Sequence, residues 1–123
     1  MASLTTGNGL PNVVVTGIAM TTALATDAEN TWKKLLDGQC GIRKLEDPFV
    51  EEYDLPVRIG GHLLEEFDSQ LNKVENRRMS YLQKMATVLG RRVWEDTGSP
   101  EVDTRRLMVS IGTGMGSTEE LVF

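Results

Sequence analysis

The sequence predicts an α/β fold with parallel strand pairing, and three observations lead there. Short β-branched runs closed by glycine stand near either end of the chain, Val13-Val14-Val15-Thr16-Gly17 and Leu107-Met108-Val109-Ser110-Ile111 before Gly112. Two capped, amphipathic helical patterns lie between them, and the connections are long enough for crossovers. Continuous rather than alternating apolar strands imply a sheet covered on both faces by helices. Two or three strands cannot complete such a sheet, and a chain that stops in the first turn of an element leaves an open edge. The expectation is therefore the front part of a larger protein.

Residues 1–12 are polar and Gly-rich and read as a flexible leader, so that order begins at Val13 and continues to 123. After the first strand, Thr26-x-x-Glu29 reads as a capping box, with Ala28, Trp32, Leu35 and Leu36 on one helical face and Gly38 as the stop. The stretch from Gln39 to Pro56, punctuated by Gly41, Pro48 and Pro56, reads as a surface connection. Val57-Arg58-Ile59 is a short strand ended by Gly60-Gly61, and Leu63 to Val74 holds a helical turn or two. Ser80-x-x-Gln83 is a second capping box, opening a helix with Leu82, Met85, Ala86, Leu89 and Val93 at helical spacing, stopped by Gly98 and Pro100. Gly90 inside it costs about 1 kcal/mol relative to Ala, which implies a closely packed neighbour or simple tolerance. A further helix is expected to start at Thr118.

Composition narrows the function. The 123 residues carry 13 Lys+Arg against 18 Asp+Glu, a formal charge of −5, with 40% hydrophobic residues, which describes a soluble globular segment and not a disordered one. Nucleic acid and anionic lipid are excluded as electrostatic partners, since no basic stripe is present. The single cysteine rules out an intrachain disulfide and fits a reducing compartment, and no apolar run is long enough for a signal peptide or membrane insertion, so a cytoplasmic location is expected.

Each chemical candidate is weighed against a bland alternative. Cys40 follows the C-terminal end of a helix, where the dipole disfavours a thiolate, so it reads as a small side chain in a turn. His62, the only histidine, has no carboxylate pattern nearby in sequence and reads as structural or solvated. The acids from Glu46 to Asp54 lack the order of a calcium loop, leaving no metal site. The pairs Arg77-Arg78, Arg91-Arg92 and Arg105-Arg106 read as solvated faces, and Trp32 and Trp94 as core or interface. Gly112-x-Gly114-x-Gly116 after a strand lets backbone approach a ligand closely. It departs from the dinucleotide fingerprint, whose third glycine would fall on Ser117.

Taken in order, Val13-Val14-Val15-Thr16-Gly17, Thr31-Trp32-x-x-Leu35-Leu36-x-Gly38-x-x-Gly41-Ile42, Arg77-Arg78-Met79 and Ile111-Gly112-Thr113-Gly114-Met115-Gly116 resemble the N-terminal part of β-ketoacyl-acyl carrier protein synthases. Gly60-Gly61-His62-Leu63 and Gly98-Ser99-Pro100-Glu101-Val102-Asp103 look most like the mycobacterial synthases of the KasA and KasB type, which extend meromycolate chains. Glu51-Glu52-Tyr53-Asp54-Leu55-Pro56-Val57-Arg58 and Met108-Val109-Ser110-Ile111 favour the KasB type.

The resemblance implies an incomplete N-terminal portion of a thiolase-like layered αβαβα fold. It also implies elongation of an acyl-acyl carrier protein by decarboxylative condensation with its malonyl form, in fatty acid and mycolic acid biosynthesis. Such an acyltransferase uses an active-site cysteine and two histidines, all beyond the region this chain resembles, so no catalytic residue is expected within it. Cys40 stands where relatives usually carry Ser, and His62 matches neither catalytic histidine. Gly114 and Met115 match a turn that sets its bulky residue against the acyl pocket. No cofactor is implied, the partner is the acyl carrier protein with its acyl or malonyl cargo, and a complete version forms a homodimer. Two rivals remain beside the enzyme segment. One is a non-catalytic α/β module binding a carrier or subunit through its open edge; the other is a small nucleotide-binding domain.

Overall fold

In the computed structural model, which describes residues 7–118, the most persistent element is the one best marked in the sequence. Helix α4 (Tyr81–Asp96) opens on Ser80, whose backbone N–H donates to Gln83 Oε1 at 3.0 Å while its Oγ accepts from the Gln83 amide at 3.5 Å, the expected capping box. It closes at Gly98, with φ +78°, where the amides of Gly98 and Ser99 donate to the carbonyls of Glu95 and Trp94. That left-handed step satisfies the last carbonyls and suits a residue without Cβ. The interior Gly90 has nothing within 4 Å of a built Cβ, so it is tolerated rather than packed.

Helix α1 (Ala28–Leu36) ends as expected at Gly38 but starts one residue later than the sequence pattern suggests. Asp27, not Thr26, is the N-cap, and its carboxylate accepts from the Asn30 amide at 2.8 Å. Either residue type can cap a helix. Here the Thr26 carbonyl faces away to Arg92, at 3.3 Å. The expected apolar face is not the buried one: Trp32, Leu35 and Leu36 are exposed, and Trp94 on α4 is also partly exposed. Thr31 is buried instead, its hydroxyl 3.1 Å from that of Thr22. The Thr22 hydroxyl also accepts from the Leu24 and Ala25 amides at 3.1 Å, closing a side-chain turn ahead of the helix.

The Gln39–Pro56 connection is more ordered than expected. It carries β1 (Arg43–Lys44) and α2 (Pro48–Glu52), and β1 pairs antiparallel with β2 (Ile59–Gly60), Arg43 opposite Gly60 and Lys44 opposite Ile59. The expected Val57–Ile59 strand is therefore shifted towards Gly60. A 3₁₀ turn (Asp68–Gln70) and α3 (Lys73–Arg78) occupy and extend the region where a turn or two was expected, and a second 3₁₀ turn (Thr104–Arg106) precedes Leu107.

The two long β-branched runs are not strands among the described residues, and no parallel sheet forms there. Val13 is 92% and Met108 85% exposed. A strand exists only when a neighbour completes its hydrogen-bond ladder, and β propensity expresses packing on a sheet rather than a preference of the isolated backbone. Among the described residues the buried apolar ones are Leu24, Ala25, Val50, Phe67 and Val88, with the Phe67 ring 5.6 Å from that of Tyr81. The chain exposes 10347 Å², where a compact monomer of its mass exposes about 6,600 Å². Residues 1–6 of the expected leader and 119–123 of the expected last helix lie outside the described residues.

Candidate functional site

The segment leading into the glycine turn runs beside α4 at Val109 and Ile111, and the chain meets α4 again at Ser117. Leu82, Met85, Ala86, Leu89 and Val93, the face expected to be core, line one wall of an open apolar groove of about 580 Å³. Val109 and Ile111 line the other. A second groove of similar volume continues along α4 past Met79 and Arg78. Beyond Gly112, which still lines the groove, the turn is open: a side chain at Gly114 would meet nothing within 4 Å, and Met115 is 81% exposed. Its Gly116 amide donates to Thr113 Oγ1 at 3.0 Å. The next residue, Ser117, places its hydroxyl 2.6 Å from that of Ser80, the N-cap of α4. Gly114 and Met115 lie three and two positions before this contact, with Met115 exposed and no closed pocket described around them.

Cys40 is exposed just beyond α1, its Sγ accepting from the Ile42 amide at 3.4 Å. His62 lies elsewhere, its Nε2 3.3 Å from Asp47 Oδ2, a carboxylate that sequence proximity does not reveal. The acids around α2 are partly paired, since Arg58 donates to Glu51 at 2.8 Å and to Asp54 at 2.6 Å. Among the described residues no group of three His, Cys, Asp or Glu could hold a metal ion, and no helix is long and apolar enough to cross a membrane.

The one arginine pair on α4 is ion-paired, although Arg91 remains exposed. Arg91 donates to Glu75 at 2.5 Å. Arg92 grips both oxygens of Glu65, reaches Gln70 Oε1 at 2.8 Å, and holds the Thr26 carbonyl at the entrance of α1. The hydrogen bond from Arg92 keeps the Glu65 carboxyl below its ordinary range against the opposing effect of burial, and the same bond raises the Arg92 guanidinium. This network ties Glu65, Gln70, Glu75 and the Thr26 carbonyl to α4. Burial first, then the Glu66 and Glu65 charges, raise the Tyr81 phenol.

The family described as "Beta-ketoacyl synthase, N-terminal domain" matches residues 11–123. The 3-oxoacyl-[acyl-carrier-protein] synthase 2 of Mycobacterium tuberculosis is 76% identical over 123 residues, covering 100% of this chain and 30% of that protein. The protein of the same name from Mycobacterium leprae is 78% identical over 120 residues, covering 98% of this chain and 29% of that protein. A third, from Vibrio cholerae, is 32% identical over 111 residues, covering 87% of this chain and 26% of that protein. The chain thus spans under a third of the length of the relatives it matches, over the N-terminal domain of the family. With the motifs in register from Val13 to Gly116 and the mycobacterial likeness shown over the whole length, the chain belongs to the β-ketoacyl synthase family.

Proposed function

We propose that this chain supplies the N-terminal part of an enzyme that elongates acyl-acyl carrier protein by decarboxylative condensation with malonyl-acyl carrier protein. The observation that carries the reading is the match of residues 11–123 to the family's N-terminal domain, together with identity to synthases named for the acyl carrier protein. In this reading residues 13–123 join a thiolase-like layered αβαβα domain, behind a leader at 1–12. The Val13–Gly17 and Leu107–Ile111 runs become strands there, and the complete enzyme is a cytoplasmic homodimer acting in fatty acid and mycolic acid synthesis.

Within this segment the role is scaffold and pocket wall, not bond making. An acyl-transferring thiol needs a base, a cation or a helix N-terminus beside it. Cys40 instead follows the C-terminal end of α1, and His62 is directed to Asp47. The nucleophile and both histidines therefore come from outside these 123 residues. Gly114 and Met115 form the wall of the acyl pocket, where the flexible thioether yields to a long apolar chain. The purified chain, incubated with acyl- and malonyl-acyl carrier protein, releases no β-ketoacyl product, while a full-length synthase carrying the segment does. Condensation by the chain alone, abolished by Cys40→Ser, would refute the assignment.

A further inference from the structure

Ser117 touches a part of the chain 37 residues away, at one of the few points where the glycine turn is held at all. Its Oγ is 2.6 Å from Ser80 Oγ. Ser80 is buried and is itself held by the capping box, accepting from the Gln83 amide and donating its own amide to Gln83 Oε1. A hydroxyl has one donor and two acceptor sites. The pair can therefore share a hydrogen bond without breaking the cap. The rest of the turn has little side-chain support: a side chain at Gly114 would meet open space, Met115 is exposed, and the Gly116–Thr113 bond is internal to the turn. A single residue, Gly116, separates Met115 from Ser117, whose bond to Ser80 is a long-range side-chain tether of this turn.

We infer that the Ser117–Ser80 hydrogen bond is a clasp that sets the position of Met115, making Ser117 a positioning residue for acyl-chain selectivity. The inference rests on the reading of Met115 as a pocket residue. The clasp fixes the turn to the rigid first turn of α4, so a lost hydroxyl frees the Met115 backbone without removing any group that meets the substrate. One hydrogen bond is a small restraint, so the effect is a change of selectivity rather than a loss of activity.

The test uses a full-length synthase carrying this segment and compares Ser117→Ala, Ser117→Thr and Met115→Trp. For Ser117→Ala, the ratio of kcat/KM for long against medium acyl-acyl carrier protein changes by roughly fivefold, with KM for malonyl-acyl carrier protein unchanged. Amide exchange at Met115 and Gly116 quickens, and Ser117→Thr, which keeps a hydroxyl, restores both readouts. Should Met115→Trp shift chain-length preference while Ser117→Ala changes neither selectivity nor exchange, the clasp is overturned and the pocket assignment stands. If Met115→Trp leaves chain length unaltered, the pocket assignment fails and the selectivity role of Ser117 falls with it.

Discussion

Replacing Arg92 by Met keeps an apolar stem and removes the guanidinium that joins four parts of the chain. In the native fold that group donates to both Glu65 oxygens, to Gln70 and to the Thr26 carbonyl. The Glu65 side chain is 8% exposed and that of Arg92 31%, so the substitution strands a largely shielded carboxylate. A hydrogen bond to a charged group contributes about 1.5–3 kcal/mol, whereas an exposed ion pair contributes at most about 1 kcal/mol. Partial exposure of Arg92 lowers the expectation to about 2 kcal/mol for Arg92→Met. Urea unfolding of the purified chain, followed by far-ultraviolet circular dichroism, measures it.

The matched control is Arg105→Met, whose side chain is 89% exposed and pairs with nearby Asp103; it leaves the midpoint unchanged. A double-mutant cycle of Arg92→Met with Glu65→Gln isolates the pair, with a coupling of about 1–2 kcal/mol at pH 7. The pH dependence has a fixed sign. Because Arg92 lowers the Glu65 carboxyl, the stabilisation is present above the ordinary value of 4.5 and is lost as pH falls through the lowered folded value. The gap between the parent chain and Glu65→Gln therefore closes in acid. A coupling below about 0.5 kcal/mol, or a gap that widens in acid, would refute the argument that Arg92 ties these segments together.

The remaining expectations concern packing and helix propensity. Phe67, 1% exposed and set against Tyr81, leaves a cavity when cut to Ala, and Phe67→Ala lowers stability by about 3–5 kcal/mol in the same unfolding measurement. Gly90→Ala does the opposite, raising it by about 0.5–1 kcal/mol, because a methyl there meets nothing within 4 Å; a destabilised variant would reveal a neighbour over that face of α4.

Helix α4 was legible residue by residue because its signals are local. The Ser80–Gln83 box and the Gly98 stop each act within a few residues, and the structure shows both. The same locality explains the one-residue error at α1. Thr26 and Asp27 are both competent caps, and the choice depends on a Thr26 carbonyl engaged by Arg92, 66 residues away. The family was legible because motifs spread over the chain keep their order and spacing, which requires no knowledge of who pairs with whom. The Gly114–Met115 turn belongs to that kind of information, since its position after a β-branched run is written in the sequence.

What could not be read locally is whatever needs two distant parts at once. Apolar periodicity marked Trp32, Leu35 and Leu36 as a face to bury, yet burial requires a partner surface, and the described residues bury Thr31 instead. Arg92 looked like one charge among several; its role emerged only when Glu65, 27 residues off, and Thr26 converged on it. The hydroxyl of Ser117 gained meaning in the same way, from Ser80. Sequence by itself determined both ends of α4, the Gly38 stop of α1 and the lineage, because these follow from short-range hydrogen bonding and ordered motifs. Tertiary structure alone decided which faces are covered and which charges are tied, because desolvation and long-range pairing depend on what the folded chain brings alongside.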